Sequence, residues 1–132
     1  MTRPTGTGIM GIGIDLIEID RIERALERYP RFAQRCFTPA EADYCSSRAY
    51  PAQHFAVRFA AKEAIGKALG IGMTRWHEAE VVRERAAPTA ILTGGCLSRA
   101  RDMGVVEVLL SLTHSRGMAA AVAIVRGTSP RQ

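Results

Sequence analysis

Ala52-Gln-His-Phe-Ala-Val-Arg58-Phe-Ala-Ala-Lys62-Glu63-Ala-Ile-Gly66-Lys67-Ala-Leu69 is the stretch on which the fold turns. It is rich in alanine, has no interior proline and is stopped by Gly70, so it predicts one long helix. Upstream, Thr38-Pro39-Ala40-Glu41 is a capping box: Thr38 caps, Pro39 takes the first helical position and Glu41 reaches back. A short helix to about Ser46 follows from it. Further upstream, Ile9 to Ile14 is an apolar run read as the first strand. Ile17 to Tyr29 reads as a helix with Ile19, Ile22, Leu26 and Tyr29 as its buried stripe, ended by Pro30, with another turn or two over Arg31 to Cys36. Downstream, Ala79–Arg85 and Thr89–Thr93 read as an antiparallel pair. Cys96–Met103 is a helix closed by Gly104, and Val105–Leu112 and Met118–Val125 are two more strands joined by a turn at His114–Gly117. A long helix followed by antiparallel strands predicts an α+β domain, not a doubly wound parallel sheet.

The 132 residues suit a single domain, with residues 1–8 and 127–132 read as loose termini. At 47% hydrophobic content the chain needs no staple to form a core. No apolar run approaches the ~18 residues of a membrane span, and Met1 to Gly8 lacks the apolar segment of a secretory signal. Cys36, Cys45 and Cys96 are odd in number and widely spaced, which fits reduced thiols in a cytoplasmic protein rather than a disulfide framework or zinc site. The net charge of +5 points to an anionic partner without choosing one. Scattered basic residues, a single Trp and the lack of a helix-turn-helix or RNA-binding signature argue against nucleic acid.

Gly6-Thr-Gly-Ile-Met-Gly11 matches a dinucleotide fingerprint by letter alone, because it precedes a strand instead of following one. Three other segments carry chemistry. Asp15 ends Gly11-Ile-Gly-Ile-Asp15, either as a helix N-cap or as a carboxylate held at a strand's mouth, suited to a divalent cation. On the long helix, Arg58, Phe59, Lys62, Glu63 and Gly66 fall within a sector of about 140°, so two cations and a carboxylate share a face. The bland alternative is a surface pair between Glu63 and Lys67. Gly66 in that sector suggests close approach of a ligand or a strand. Leu110-Ser111-Leu-Thr113-His114-Ser115 puts hydroxyls and an imidazole at a strand end. With no G-x-S-x-G elbow and no orienting Asp, it does not read as a serine hydrolase.

Taken in order, Gly-Ile-Gly-Ile-Asp, Arg-Phe-Ala-Ala-Lys-Glu-Ala and Ser-Leu-Thr-His followed by Ala-Ala-Ala-Val-Ala resemble the three signatures of the 4′-phosphopantetheinyl transferases, and the length is similar to the short holo-acyl-carrier-protein synthase branch. The resemblance runs from Gly11 to Val125, and its middle motif is the most specific. It implies Mg²⁺-dependent transfer of 4′-phosphopantetheine from coenzyme A to a serine of an acyl carrier protein, leaving 3′,5′-adenosine bisphosphate. That reaction serves fatty-acid biosynthesis, with the choice among carriers left open. It also implies a long helix wrapped by an antiparallel sheet, and a homotrimer with active sites between subunits.

By the same resemblance Asp15 and Glu63 hold the metal, and they are catalytic together with Lys62. Lys62 and Lys67 lie near the pyrophosphate, Arg58 near the 3′-phosphate, and Ser111, Thr113 and His114 line the coenzyme A site. The serine's proton goes to Glu63 or to a metal-bound water. Arg21, matching the residue that meets the carrier's acidic helix, forms one stripe with Arg24 and Arg28 at i, i+3 and i+7. Two positions depart from the pattern: Leu109 stands where the family often has a phosphate-binding His, and Ala86-Ala87-Pro88 replaces Gly-x-Pro.

Overall fold

Strand β1 (Gly8–Glu18), helices α1 (Ile19–Arg28), α2 (Phe32–Cys36), α3 (Pro39–Ser46) and α4 (Pro51–Ala68), strands β2 (Ala79–Arg83) and β3 (Pro88–Leu92), helix α5 (Gly94–Met103) and strands β4 (Val105–Ser115) and β5 (Met118–Gly127) follow one another along the chain. This computed structural model describes residues 8–83 and 87–128; most of both expected loose termini and Ala86 of the Ala-Ala-Pro turn lie outside them. The strands form a three-stranded antiparallel sheet in the order β1-β5-β4 and a separate β2–β3 ribbon. The α+β expectation is met: α4 packs along β1 and β5 and carries the core.

Small residues set the depth of that packing. Ala56, Ala60, Ala61, Ala64 and Ala68 of α4 are buried against Ala119, Ala121, Ala123 and Val125 of β5. On β1, Gly11 and Gly13 face the helix so closely that added Cβ atoms would sit 2.1 Å from the Ala68 carbonyl oxygen and 1.9 Å from that of Ala64. Leucines or valines there would hold α4 off the sheet. Gly66 is explained by the chain itself: a Cβ would meet the Ile71 oxygen at 3.0 Å and the Met73 nitrogen at 3.3 Å, so a backbone loop makes the close approach.

The capping box forms as read. The Glu41 nitrogen donates to Thr38 Oγ1 at 3.2 Å and the Thr38 nitrogen to Glu41 Oε1 at 2.8 Å. The start of α1 differs from expectation. Its ladder with β5 keeps β1 extended to the pair Glu18–Met118, so the helix begins at Ile19 and Asp15 is a mid-strand residue, not a cap. Tyr29, expected in the buried stripe, has left the helix at the C-cap with φ −116° and is exposed. Ile22 is buried, with Ile19 and Leu26 partly so. The β4–β5 turn is tighter than expected: only Arg116 and Gly117 lie between the strands, both at positive φ, as a two-residue hairpin of this hand requires.

Candidate active site between strand β1 and helix α4

Alternation along β1 turns Gly11, Gly13, Asp15 and Ile17 toward α4 and leaves Ile12, Ile14 and Leu16 facing outward. The two glycines bring α4 near, so Asp15 arrives beside Glu63, one residue before Ala64 in the packed row. Burial, then the Asp15 charge, pushes the Glu63 carboxyl above the ordinary glutamate range, and the cations of Lys67 and Arg21 oppose that shift. Lys67 Nζ lies 3.2 Å from Asp15 Oδ1 and donates to the Ile14 carbonyl at 2.9 Å. Two acids and two bases thus converge at a partly open rim. Lys67 has Asp15 as its ion-pair partner rather than Glu63, so the helix-surface alternative is not what forms.

Lys62 is not brought to this rim. Its ammonium is fully buried and donates to Glu41 at 2.8 Å, to the Trp76 carbonyl at 2.8 Å and to the Ala79 carbonyl at 2.9 Å. Three donors meet three acceptors, which leaves none for a phosphate in this arrangement. Burial presses its pKa below the usual lysine range, and the Glu41 carboxylate opposes that.

Arg58 belongs to a second cluster. It is buried, its guanidinium stacks 4.2 Å from the Tyr44 ring centroid, and its Nε has no hydrogen-bond partner. Arg48 lies 5.0 Å from the same centroid, and His54, one helical turn before Arg58, packs edge-on against Tyr44. Burial holds the His54 pKa low, helped by the charges of Arg58, Arg48, His114 and Arg83. Arg58, Arg48 and His54 gather around Tyr44 as a cluster of basic groups, an environment that favours an anion. His54 could have been found from its i, i+4 spacing to Arg58. Arg48 and Tyr44 belong to other segments, and nothing in their spacing announces them.

The charge of His114 acts on His54, beside Arg58, whereas Ser111 and Thr113 are exposed on the sheet's opposite, outward face. They stand in register with Val122 and Ala120, and these in turn with Ile14 and Leu16. Leu109 shares that face, aligned through Ile124 with Ile12, so it extends an apolar surface. Ile12, Ile14 and Leu16 are 64%, 63% and 63% exposed.

The arginines of the α1 stripe, Arg21, Arg24 and Arg28, are all exposed. Beyond them opens a groove of about 910 Å³ whose walls include Tyr29, Phe32, Trp76, Arg31, Arg35 and Arg75. Arg21 has a second aspect that the stripe did not reveal, since its charge also acts on Glu63. Among the described residues no set of three or more His, Cys, Asp or Glu could hold a metal ion. A cation at Asp15 and Glu63 would complete its shell with substrate phosphate and water, the habit of Mg²⁺. Among the described residues no helix is long and apolar enough to cross a membrane.

Known proteins share this fold and much of this sequence. The holo-[acyl-carrier-protein] synthase of Moorella thermoacetica is 49% identical over 119 residues, which cover 88% of this chain and 93% of that protein. The crystal structure of holo-ACP-synthase from Plasmodium yoelii superposes with a TM-score of 0.83 at 28% identity, covering 95% of this chain and all of the other. That of Helicobacter pylori holo-[acyl-carrier-protein] synthase in complex with coenzyme A gives 0.75 at 28% identity, over 86% and 98% of the two chains. Residues 11–121 match the family model of the 4′-phosphopantetheinyl transferase superfamily, and the chain belongs to that family.

Proposed function

We propose that this chain, a holo-[acyl-carrier-protein] synthase by its relatives, transfers 4′-phosphopantetheine from coenzyme A to a serine of apo acyl carrier protein at a Mg²⁺ site formed by Asp15 and Glu63. The observation that carries the site is the approach of these two carboxylates, with Lys67 and Arg21 beside them. Like charges so placed favour a cation or a proton between them. Hard carboxylate oxygens fit Mg²⁺, which when bound supplies charge neutralisation on the phosphoryl oxygens. In the reaction the serine oxygen forms a bond to the β-phosphorus, and the bond to the oxygen of 3′,5′-adenosine bisphosphate breaks. Lys67 offers its ammonium to the negative charge of the pyrophosphate. Glu63 or a metal-bound water would receive the serine proton. The basic cluster of Arg58, Arg48 and His54, with His114 near it, receives the 3′-phosphate, and Arg58 Nε, buried without a hydrogen-bond partner, offers it a donor.

A homotrimer with each site shared between subunits supports this chemistry. In one chain Ser111 and Thr113 face away from Asp15 and Glu63, on the same outward face as Ile12, Ile14 and Leu16. A site that uses both sets must form where this apolar face meets another subunit. The positive stripe Arg24–Arg28 and the groove beyond it suit an acidic carrier. A cytoplasmic location accords with three free cysteines.

Calorimetric titration of Mg²⁺ into the protein with coenzyme A tests the site. Wild type binds the metal, while Asp15→Asn and Glu63→Gln lose at least about tenfold in affinity and keep the fold. Unchanged metal affinity in either variant would remove that carboxylate from the site.

A further inference from the structure

The fully buried charge pair Glu41–Lys62 has no part in the chemistry described above, yet it abuts the residue that does. Glu41 Oε1 accepts from Lys62 and from the Thr38 nitrogen at 2.8 Å each, and Oε2 accepts from the Val81 nitrogen at 2.7 Å. Lys62 donates to the Trp76 and Ala79 carbonyls. Thr38 Oγ1 closes the collar on the Glu80 carboxylate. Four segments are thereby tied at one point: the first turn of α3, the middle of α4, the turn at 76–78 and strand β2.

A buried pair of this kind is weak evidence for stability, since desolvation offsets the attraction. Its geometry is informative instead. Two backbone N–H groups demand an acceptor at Glu41, and two backbone carbonyls demand a donor at Lys62, so the charges cannot be exchanged and the helix cannot rotate without orphaning them. Trp76, whose carbonyl Lys62 holds, stacks its ring on Phe59 at 4.6 Å. Glu63 thus directly follows two fixed points of α4: Phe59, one turn before it, and Lys62, its preceding neighbour. Its direction follows from theirs at about 100° per residue.

We propose that Glu41 and Lys62 are positioning residues that fix the rotation of α4, and so aim Glu63 at Asp15. The same contacts hold Trp76 in the wall of the groove. This inference rests on the metal reading above, and its test separates the two.

Mn²⁺, whose free form is counted by electron paramagnetic resonance, is titrated into the full chain. Glu41→Gln is expected to weaken Mn²⁺ binding at least about tenfold (~1.4 kcal/mol) although Glu41 touches no metal. Its kcat falls while the affinity for coenzyme A stays within about twofold, since the nucleotide is gripped by the separate Arg58 cluster. Hydrogen exchange quickens at the amides of residues 76–81. Glu41→Asp keeps the charge balance but shortens the arm, so it folds and loses Mn²⁺ affinity to a lesser degree. Ala100→Gly, a buried position in α5 outside the collar, destabilises the chain and leaves Mn²⁺ affinity alone. Wild-type affinity in folded Glu41→Gln and Glu41→Asp overturns the proposal, as does an equal loss in Ala100→Gly. A wild-type protein that transfers phosphopantetheine without binding Mn²⁺ overturns the metal reading, and this inference with it.

Discussion

Replacing Gly13 by alanine tests the link between close packing and the active site. The new Cβ would stand 1.9 Å from the Ala64 carbonyl oxygen and 2.9 Å from both the Ala64 carbonyl carbon and the Ala68 nitrogen. A carbon–oxygen contact settles near 3.3 Å, so strand and helix must part by about 1.4 Å. Neither side has a flexible side chain that can swing away, because all three atoms are backbone. Overpacking ordinarily costs 1–3 kcal/mol, and rigid walls put this case at about 3 kcal/mol or more. For a chain of this size that lowers Tm by roughly 10 °C or more. The damage should reach the site, because Asp15 lies two residues along the same strand and Glu63 immediately precedes Ala64. Thermal melts by circular dichroism, paired with Mg²⁺ titration, measure both effects. Gly72→Ala serves as the control, since nothing lies within 4 Å of a Cβ there. A Gly13→Ala protein that melts within about 2 °C of wild type and binds Mg²⁺ normally would refute the argument that glycines on β1 set the distance between the carboxylates.

Other perturbations have equally definite signs. In metal-free protein Glu63 is held above the ordinary glutamate range, so the folded state binds more protons than the unfolded one, and stability declines as pH rises from the ordinary glutamate value through the raised one. Glu63→Gln removes this slope: in chelator its Tm gains on wild type as pH rises above the ordinary glutamate value of about 4.3, and a parallel Tm profile would contradict the assignment. Arg24→Glu with Arg28→Glu should raise KM for the carrier at least about tenfold, ~1.4 kcal/mol, with coenzyme A affinity retained. Wild-type KM should also climb with salt as exposed charges are screened; a folded double variant with unchanged carrier KM would eliminate the docking stripe. Ile14→Asp puts a charge in the outward apolar face, so sedimentation should show dissociated subunits and transfer should be lost. Intact trimers, or active monomers, would contradict shared sites.

The long helix, the capping box and the order of strands were legible because local chemistry governs them: alanine runs, Thr38 with Glu41, and Gly104 at a helix end. The extent of β1 was not, since only pairing with β5 keeps Asp15 to Glu18 extended against a helical apolar spacing. The Asp15–Glu63 approach was anticipated from motif resemblance, and its cause, two glycines against two backbone carbonyls, needed the tertiary contact. Lys62 shows where spacing misleads. Sharing a helical sector with Arg58 and Glu63 did not reveal that its ammonium turns inward to Glu41, a partner 21 positions earlier whose helix had to be placed first. Tyr44 and Arg48 escaped notice for the same reason, as their relation to Arg58 exists only after α3 folds onto α4.

The most direct measurement weighs the product. Apo acyl carrier protein is incubated with the enzyme and coenzyme A, with Mg²⁺ or with chelator, and its intact mass is read. A gain of one phosphopantetheine, about 340 Da, is expected only with Mg²⁺, with its near disappearance in Glu63→Gln, as metal-assisted phosphoryl transfer requires. Transfer that continues undiminished in chelator, or in folded Glu63→Gln, would contradict the Asp15–Glu63 metal site.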